Sequence, residues 1–343
     1  MKPIRVLVVD DSAFARKVLR ESLGTSSELE VVATASDGID ALEKIAQLDP
    51  DVVTLDLVMP NLDGIGVLKA LSHEQRRRVV IVSMADGESE LGVEALAAGA
   101  FDLVHKPTAL AVDSLRDIAR ELVERVLLAG RSRPSAETVV AAAPTTPTEL
   151  VFRARSETVV LIGTSTGGPQ ALTRLLTAFP ADFPASIVVV LHIPEGYTGP
   201  LAERLNKASA IEVMEAEEGL LLRPGLAVVA RAGRHLQLTA TGGEQRLRLV
   251  VDADGSRHCP SVDVLFESAA VSLGNRALGV VLTGMGDDGL AGARALVAAG
   301  GRVLTEAERS CVVYGMPRVV KEAGLSSGEF ELAQMAAAIS ARI

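Results

Sequence analysis

The chain has 343 residues, a length that predicts two domains, and a net charge of −10 from 34 basic and 44 acidic side chains. This acidic balance disfavours general nucleic-acid binding, which needs a basic surface. The two cysteines, Cys259 and Cys311, form no C-x-x-C pair, so neither a disulfide framework nor a zinc site is expected. Asp10 and Asp11 cut the first apolar run short, and no uncharged apolar stretch of about 18 residues follows. We therefore expect no signal peptide, no membrane insertion and a cytoplasmic protein.

The first half of the chain, residues 1–128, alternates short apolar runs with helical patterns near 13–23, 38–47, 64–72, 88–98 and 113–128. A fivefold alternation of this kind predicts a doubly wound parallel sheet with helices on both faces. In such a sheet, binding and chemistry collect at the carboxyl ends of the strands. The expected strands are Ile4–Val9, Val31–Ala35, Val52–Leu55, Val79–Val82 and Leu103–Val104.

Polar side chains stand at the ends of four of these strands. Asp10 and Asp11 end the first strand, Asp56 the third, Ser83 the fourth and Lys106 the fifth. Three carboxylates in one cleft repel each other unless a cation or a proton compensates. Mg²⁺ takes oxygen ligands and would supply that charge, with Ser83 and Lys106 free to contact an anion carried on Asp56. Alternatively, the first two aspartates cap the following helix, although capping would not explain the whole set.

This half resembles the receiver domain of bacterial two-component response regulators, in the order and spacing of three motifs. The resemblance implies that Asp56 accepts a phosphoryl group from a sensor histidine kinase and that Ser83 and Lys106 respond to it as switch residues. It also implies that Mg²⁺ is held by Asp11, Asp56 and the backbone carbonyl of Val58, with Asp10 nearby. Leu103 stands where many receivers carry an aromatic switch residue. The matching motifs are Val8-Val9-Asp10-Asp11-Ser12, Leu55-Asp56-Leu57-Val58-Met59-Pro60 and Lys106-Pro107.

The pattern breaks at residues 129–153, where small, polar and proline-bearing segments predict a linker. A second alternation over 154–343 predicts a further doubly wound, mainly parallel α/β domain of the hydrolase type. Helices are expected near 198–208, Val262–Val271, Ala291–Ala298 and Phe330–Ala341. The expected strands are Ile187–Leu191, Ile211–Met214, Leu226–Ala230, His235–Thr239, Leu247–Val251, Leu278–Leu282 and Arg302–Leu304.

The stretch Ile162–Pro169 joins an apolar run to a helical pattern and contains three glycines. It predicts a tight strand-to-helix turn that carries Ser165, with Pro169 in the first helical turn. The helix N-terminus directs backbone N–H groups and a partial positive charge towards the space beside the hydroxyl. A serine in this position could attack a carbonyl carbon while those amides hold the oxyanion.

Three interpretations of this turn compete. A dinucleotide site would need a middle glycine where Ser165 stands and an acid where the next strand ends in His192. A lipase-type site fits the pattern G-x-S-x-G but would need a late histidine, either His235 or His258, after an acid. The third interpretation combines Ser165, His192 and an acid at Asp287 or Asp288, all just after apolar strands. The residues alone do not decide between these two aspartates.

The combination of motifs resembles the chemotaxis protein-glutamate methylesterases, in which a receiver regulates a hydrolase domain. The resemblance implies that Ser165 is the nucleophile, His192 the base and Asp288 the orienting acid, with Thr166 and Met285 beside the oxyanion. The matching motifs are Ile162–Pro169, His192-Ile193-Pro194, His258–Asp263, Leu282–Gly289 and Val313–Pro317.

This resemblance implies an activity as well as a set of residues. Phosphorylation would activate hydrolysis of glutamyl methyl esters on methylated chemoreceptors, and deamidation of their glutamines, without a cofactor for the esterase chemistry. A second domain that binds a partner without hydrolysing anything is the alternative from another class of function.

Overall fold

The computed structural model describes residues 2–71, 78–84, 89–106, 112–132, 157–242, 244–252, 255 and 258–343. The chain divides into two compact units, one formed by Met1–Ser132 with Ile193–Leu201 and the other by Arg133–His192 with Ala202–Ile343. The predicted linker beyond Ser132 lies outside the described residues. Within the described ranges, every helix is too short or too polar to cross a membrane.

The first unit is built on a five-stranded parallel sheet. Its strands are β1 (Ile4–Val9), β2 (Leu29–Ala35), β3 (Val52–Leu55), β4 (Arg78–Ser83) and β5 (Asp102–His105). Its helices are α1 (Ala13–Leu23), α2 (Gly38–Leu48), α3 (Gly64–Ala70), α4 (Ser89–Ala97) and α5 (Val112–Arg131). The spatial order is β2-β1-β3-β4-β5, and every neighbouring pair is parallel. This confirms the predicted five-stranded parallel sheet.

The central strands of this sheet are buried along their length, which explains their near-continuous apolar sequence. All four residues of β3 are buried, and so are the last four of β1. The two strands pair in register, with Val9 opposite Leu55, so the aspartates that follow them emerge side by side. Ser12 caps α1 by accepting the N–H of Ala15 at 3.3 Å, so the cap is this serine and neither preceding aspartate.

The second unit contains a seven-stranded parallel sheet and a separate hairpin. The sheet strands are β6 (Val159–Thr164), β7 (Ser186–Leu191), β8 (Glu212–Glu215), β9 (Leu226–Val229), β12 (Ala277–Val281), β13 (Arg302–Glu306) and β14 (Glu329–Phe330), and β10 (His235–Thr241) pairs antiparallel with β11 (Glu244–Val250). The helices are α6 (Gly168–Leu176), α7 (Thr198–Ala208), α8 (Val262–Leu273), α9 (Leu290–Ala298), α10 (Met316–Glu322) and α11 (Leu332–Ser340), with a 3₁₀ turn at Gly274–Arg276. The first residues of α7, up to Leu201, belong to the first unit. The order β14-β13-β12-β6-β7-β9-β8 confirms the predicted second, mainly parallel α/β domain.

The strand order places β6 between β7, which follows it in the chain, and β12, which comes much later. The chain crosses from β6 to β7 on one side and from β12 to β13 on the other, so a crevice is expected at the carboxyl ends of β6 and β12. Thr164 pairs with Leu191 of β7, and Gly163 pairs with Val281 of β12, so the three strands end at nearly the same level. Residues that follow these strands consequently meet at one edge of the sheet.

Three details of the second unit differ from the prediction. Phe330 was expected to begin the last helix, but it ends β14, and α11 begins at Leu332. A strand of two residues is defined only by its pairing with β13, so its local sequence carries no signal for it. The sequence also did not predict α10, whose seven residues make only two turns and leave little periodicity to detect.

Candidate functional site

The first unit gathers an acidic cluster, formed by Asp10, Asp11 and Asp56, at the carboxyl edge of its sheet. Carboxylate oxygens of the three side chains lie within 4.8 Å of one another. Asp10 and Asp56 are buried, whereas Asp11 is exposed. Oxygen donors this close together, with one of them open to solvent, fit a hard divalent cation such as Mg²⁺.

Lys106 reaches this cluster from the end of β5. Its Nζ lies 2.8 Å from Asp10 Oδ2 and 2.7 Å from Asp56 Oδ2. Burial raises the pKa of Asp56 to about 6, and the charge of Asp10 adds to that rise, whereas the contact with Lys106 opposes it. Burial would lower the pKa of Lys106, but its contacts with the two carboxylates outweigh burial and raise it. One lysine cannot neutralise three carboxylates, so a further cation would reduce the repulsion that remains between them.

Two further residues named from the sequence lie in this unit. Ser83 ends β4 and is fully buried, and its Oγ donates to the carbonyl of Met84 at 3.4 Å. Leu103, at the position of the switch aromatic, is only 2% exposed within β5. An aliphatic residue packed in the sheet does not offer the ring that a receiver with an aromatic switch would move.

In the second unit, Ser165 occupies the tight turn between β6 and α6. Its N–H donates to the carbonyl of Thr283 at 3.1 Å, and its own carbonyl accepts the N–H of Gly168 at 2.7 Å. Gly167 adopts a positive φ of 80°, a conformation that favours glycine, and Pro169 follows in the first turn of the helix. The side chain of Ser165 is buried at the start of α6, where backbone amides and the helix dipole favour negative charge.

The loop after β12 packs directly against this serine. A Cβ at Gly284 would lie 2.9 Å from Ser165 Cβ, closer than side chains approach, so only glycine fits there. Thr283 fixes the loop because its carbonyl also accepts the hydroxyl of Thr164 at 2.7 Å, and its own hydroxyl donates to the carbonyl of Thr166 at 3.0 Å. Met285 is the next residue of the same loop, so it lies one position beyond the contact with Ser165.

Glu306, at the end of β13, supports this loop from behind. Its Oε2 accepts the N–H of Thr283 at 2.8 Å, and its Oε1 accepts the hydroxyl of Ser310 at 2.9 Å. The side chain is fully buried, and burial raises the pKa of Glu306. The sequence does not predict this role of Glu306, because a glutamate at a strand end has no local feature that marks it as buried.

His192 directly follows β7 and lies opposite the serine turn. Its N–H donates to the carbonyl of Thr164 at 3.2 Å, and its ring Nε2 lies 2.8 Å from Asp288 Oδ2. Only 6% of its side chain is exposed. Its other ring nitrogen, Nδ1, is buried and has no hydrogen-bond partner within the described part of the chain. The ring is therefore held at one nitrogen and keeps the second for another group.

Asp288 receives hydrogen bonds from the start of α8 as well as from His192. It accepts the hydroxyl of Ser261 at 2.8 Å and the N–H groups of Val262 and Asp263 at 2.7 and 2.9 Å. Burial alone would raise its pKa, but the hydrogen bond and charge of His192, with the amides of α8, hold the pKa of Asp288 well below its usual range. Asp287 is exposed, so the carboxylate beside His192 is that of Asp288.

The two late histidines of the lipase-type interpretation occupy other positions. The ring of His258 stacks on that of His192, with centroids 4.1 Å apart and planes inclined by 8°. His235 begins β10, and its Nδ1 accepts the N–H of Ser261 at 3.2 Å. The stacking of His258 was not foreseen, because the only sequence signal was its place in the motif that ends at Asp263. Asp288, the acid that is paired with His192, follows both histidines in the chain, so it is not the preceding acid that this interpretation requires.

Comparisons with known proteins agree with both halves of this architecture. The model of the response regulator receiver domain matches residues 6–119, and the CheB methylesterase model matches residues 160–339. The crystal structure of the Thermotoga maritima CheB methylesterase catalytic domain is similar, with a TM-score of 0.54 and 37% sequence identity, over 55% of this chain and 100% of that one. These matches define a class of protein, a response regulator whose second domain is of the methylesterase type.

Relatives along the full length specify the family. Protein-glutamate methylesterase/protein-glutamine glutaminase 5 of Myxococcus xanthus (strain DK1622) is 58% identical over 338 residues, which cover 98% of this chain and 97% of that protein. The protein-glutamate methylesterase/protein-glutamine glutaminase of Salmonella typhi is 40% identical over 344 residues, covering 100% of this chain and 98% of its own length. The chain belongs to the protein-glutamate methylesterase/protein-glutamine glutaminase family, which confirms the resemblance drawn from the sequence.

Proposed function

We propose that the chain hydrolyses glutamyl methyl esters on chemoreceptors, and deamidates their glutamines, with Ser165, His192 and Asp288 as the catalytic residues. The observation that carries this proposal is the pairing of His192 with Asp288 at the sheet edge where Ser165 lies in the turn that leads into α6. The ring of His192 is held at Nε2 by Asp288, and its Nδ1 has no hydrogen-bond partner among the described residues, which supports a role for Nδ1 as the base for Ser165. A triad is defined by such geometry and not by the order of its members in the chain.

In the first half of the reaction, His192 Nδ1 takes the proton of Ser165 as the hydroxyl oxygen attacks the carbonyl carbon of the glutamyl ester. The negative charge that develops on the carbonyl oxygen is stabilised at the N-terminus of α6, with Thr166 and Met285 beside it. Asp288 stays ionised throughout and stabilises the imidazolium, as its low pKa requires. The proton on His192 then passes to the leaving methoxide, and methanol departs.

In the second half, water attacks the acyl-serine, and His192 again accepts and returns the proton. The products are a free glutamate side chain and the regenerated serine. Glutamine deamidation follows the same route, with ammonia leaving instead of methanol. One set of residues therefore supports both activities, because the two substrates differ only in the leaving group on the same acyl carbon.

Phosphorylation of Asp56 by a sensor histidine kinase regulates this activity in the proposed function. Asp10, Asp11 and Asp56, with the carbonyl of Val58, would hold Mg²⁺, which supplies charge neutralisation for phosphoryl transfer when it is bound. Lys106 contacts two of these carboxylates, which supports its proposed role, together with Ser83, in contacting the phosphoryl oxygens. Phosphorylation can shift the balance towards the active state only by its difference in affinity for the two states.

The proposed function divides the chain into a regulatory domain, a linker and a catalytic domain, and places the protein in the cytoplasm. Residues 1–128 form the regulatory domain, 129–153 the linker and 154–343 the catalytic domain. We expect the protein to act in the cytoplasm, where a kinase can phosphorylate it.

Active-site labelling tests the nucleophile without needing a receptor. A fluorophosphonate should modify wild-type protein at a single serine, which peptide mass spectrometry would locate at Ser165. Ser165→Ala should not react, and His192→Gln should react at least about a hundredfold more slowly because its base is missing. Labelling of Ser165→Ala at the wild-type rate would refute the assignment.

A further inference from the structure

A second polar cluster lies behind Asp288 and takes no part in the mechanism above. It consists of His235, Asp252 and Cys259, whose potential ligand atoms lie within 4.8 Å of one another. His235 is buried, and the other two are partly buried. By composition, the group could hold a metal ion or could serve another purpose.

The hydrogen bonding of His235 decides between these uses. The N–H of Ser261 donates to its Nδ1 at 3.2 Å, so Nδ1 carries a lone pair and the neutral ring carries its proton on Nε2. Nε2 lies 3.6 Å from Asp252 Oδ1, a carboxylate that favours the proton at this nitrogen. A metal on Nε2 would move the proton to Nδ1, where it would face the N–H of Ser261. The geometry therefore makes His235 an acceptor for Ser261.

Ser261 links this histidine to the catalytic acid. Its hydroxyl donates to Asp288 Oδ1 at 2.8 Å, and the N–H groups of the next two residues donate to the same carboxylate. Ser261 is also the N-cap of α8, so its backbone position sets the direction of all three donors. A displacement of Ser261 would consequently move the carboxylate that orients His192.

The hairpin that carries His235 is fastened to α8 at several points. Ser268 Oγ accepts the N–H of Leu238 at 3.0 Å, and Ser272 Oγ donates to the carbonyl of Leu238 at 3.0 Å. The N–H of Gly233 donates to the carbonyl of Cys259 at 3.1 Å, just before the helix. His235 therefore lies in a hairpin that is hydrogen-bonded to α8 and to Cys259 just before it, and it can hold Ser261 in one place.

We propose that His235 is a positioning residue for ester hydrolysis, which acts through Ser261 on Asp288. The neutral ring holds Ser261, the N-cap of α8, and the start of α8 holds the Asp288 carboxylate in line with His192. His235 exchanges no proton with the substrate and forms no bond to it. This inference rests on the proposed role of Asp288.

The test compares two substitutions of similar shape in the full-length protein. Asn places an acceptor oxygen near the position of His Nδ1, whereas Leu places a methyl group there. His235→Leu should lower kcat on methylated receptor at least about tenfold with KM within about twofold, and should slow fluorophosphonate labelling of Ser165 to the same extent. His235→Asn should retain kcat within about threefold of wild type, since the Ser261 N–H keeps its partner.

Several outcomes would overturn the inference. Equal losses of kcat in His235→Leu and His235→Asn, measured well below the thermal unfolding midpoint of each variant, would show a merely structural role or a different one. A wild-type kcat in His235→Leu would show that the hydrogen bond is dispensable. A loss of basal activity on chelation that zinc restores would make the cluster a metal site. If Ser165→Ala retained activity, the proposed function itself would fail, whatever the His235 variants did.

Discussion

At the scale of single residues, the key feature is the use of the two ring nitrogens of His192. Nε2 is paired with Asp288, whereas Nδ1 has no hydrogen-bond partner among the described residues and is the nitrogen that we propose serves Ser165. In many serine hydrolases the carboxylate binds the other nitrogen, as in the Ser-His-Asp template where it binds Nδ1. Either arrangement satisfies the chemistry, because the imidazole needs only one fixed nitrogen and one available for proton transfer.

The first prediction concerns the orienting acid. Asp288→Asn retains a side chain of nearly the same shape but loses the charge that stabilises the imidazolium, so kcat should fall by about 10³- to 10⁴-fold. KM should change little, because the hydrogen bonds of Asp288 go to His192 and to the start of α8. Asp287→Asn is the matched control, since that side chain is exposed, and it should keep wild-type kcat. A wild-type kcat in Asp288→Asn together with a loss in Asp287→Asn would mean that the wrong aspartate has been assigned.

The second prediction concerns Asp263, whose Oδ1 accepts the N–H groups of Gly289 and Gly292 at 2.9 and 2.7 Å. Burial raises its pKa from 3.8 to about 6, and the charge of Asp288 adds to the rise, while the two amides oppose it. A raised pKa means that the folded state binds the proton more tightly. The stability that this proton contributes is fully present below the unfolded pKa of about 4 and is lost as the pH rises through about 6.

Asp263→Asn keeps the acceptor oxygen and removes the charge. Its free energy of unfolding should exceed that of wild type by about 1 kcal/mol at about pH 8, after discounting a two-unit shift for partial solvent exposure. The difference should disappear near pH 3, where the wild-type carboxyl is protonated in both states. Denaturant titrations of both proteins across this range measure it, and a variant that is less stable at about pH 8 would contradict the prediction.

The residues that the sequence could identify are those whose chemistry is tied to a local pattern. Ser165 follows an apolar strand in a glycine-rich turn, and His192 ends another such strand. The choice of Asp288 over Asp287 came only from the resemblance, because both aspartates follow the same strand and one residue decides which is buried. The sequence could not identify Thr283 and Glu306, since their roles depend on hydrogen bonds between distant segments.

At the scale of elements, the site depends on how closely the loop after β12 approaches the turn after β6. The third prediction is that Gly284→Ala should lower kcat at least about tenfold, because its Cβ would lie 2.9 Å from Ser165 Cβ and force the nucleophile to move. Gly324→Ala is the control. Gly324 has a φ of 71° with no atom within 4 Å of an added Cβ, so this variant should lose about 1 kcal/mol of stability but keep its kcat. Full activity in Gly284→Ala would contradict the claim that Gly284 lies too close to Ser165 to carry a side chain.

The elements themselves were largely predictable because parallel strands buried on both faces are strongly apolar. The predicted limits of α1 and α7 agree with the structure, and most predicted strand limits differ from the observed ones by one to three residues. The prediction was weakest where the structure is held by long-range pairing, as in β14. It was also weak for the polar beginning of β11 at Glu244, where the partner strand and not the sequence decides the limit.

At the scale of the whole molecule, the acidic cluster of the first unit should control the activity of the second. The fourth prediction is that a small phosphodonor with Mg²⁺ raises the esterase rate of wild type but not of Asp56→Asn, which cannot form the aspartyl phosphate. Chelation of the divalent ion before adding the phosphodonor should abolish the rise, because the clustered carboxylates then lack the cation that phosphoryl transfer needs. Equal stimulation of Asp56→Asn would show that another residue accepts the phosphoryl group.

The most direct measurement is methanol release from methylated chemoreceptor, for wild type and Ser165→Ala, each with and without the phosphodonor. Wild type should release methanol at a rate that rises with the phosphodonor, and the variant should release none above background under either condition. Release by Ser165→Ala at the wild-type rate would contradict the assigned nucleophile. No release by any sample, with a receptor known to carry methyl esters, would contradict the hydrolytic function and favour a second domain that only binds a partner.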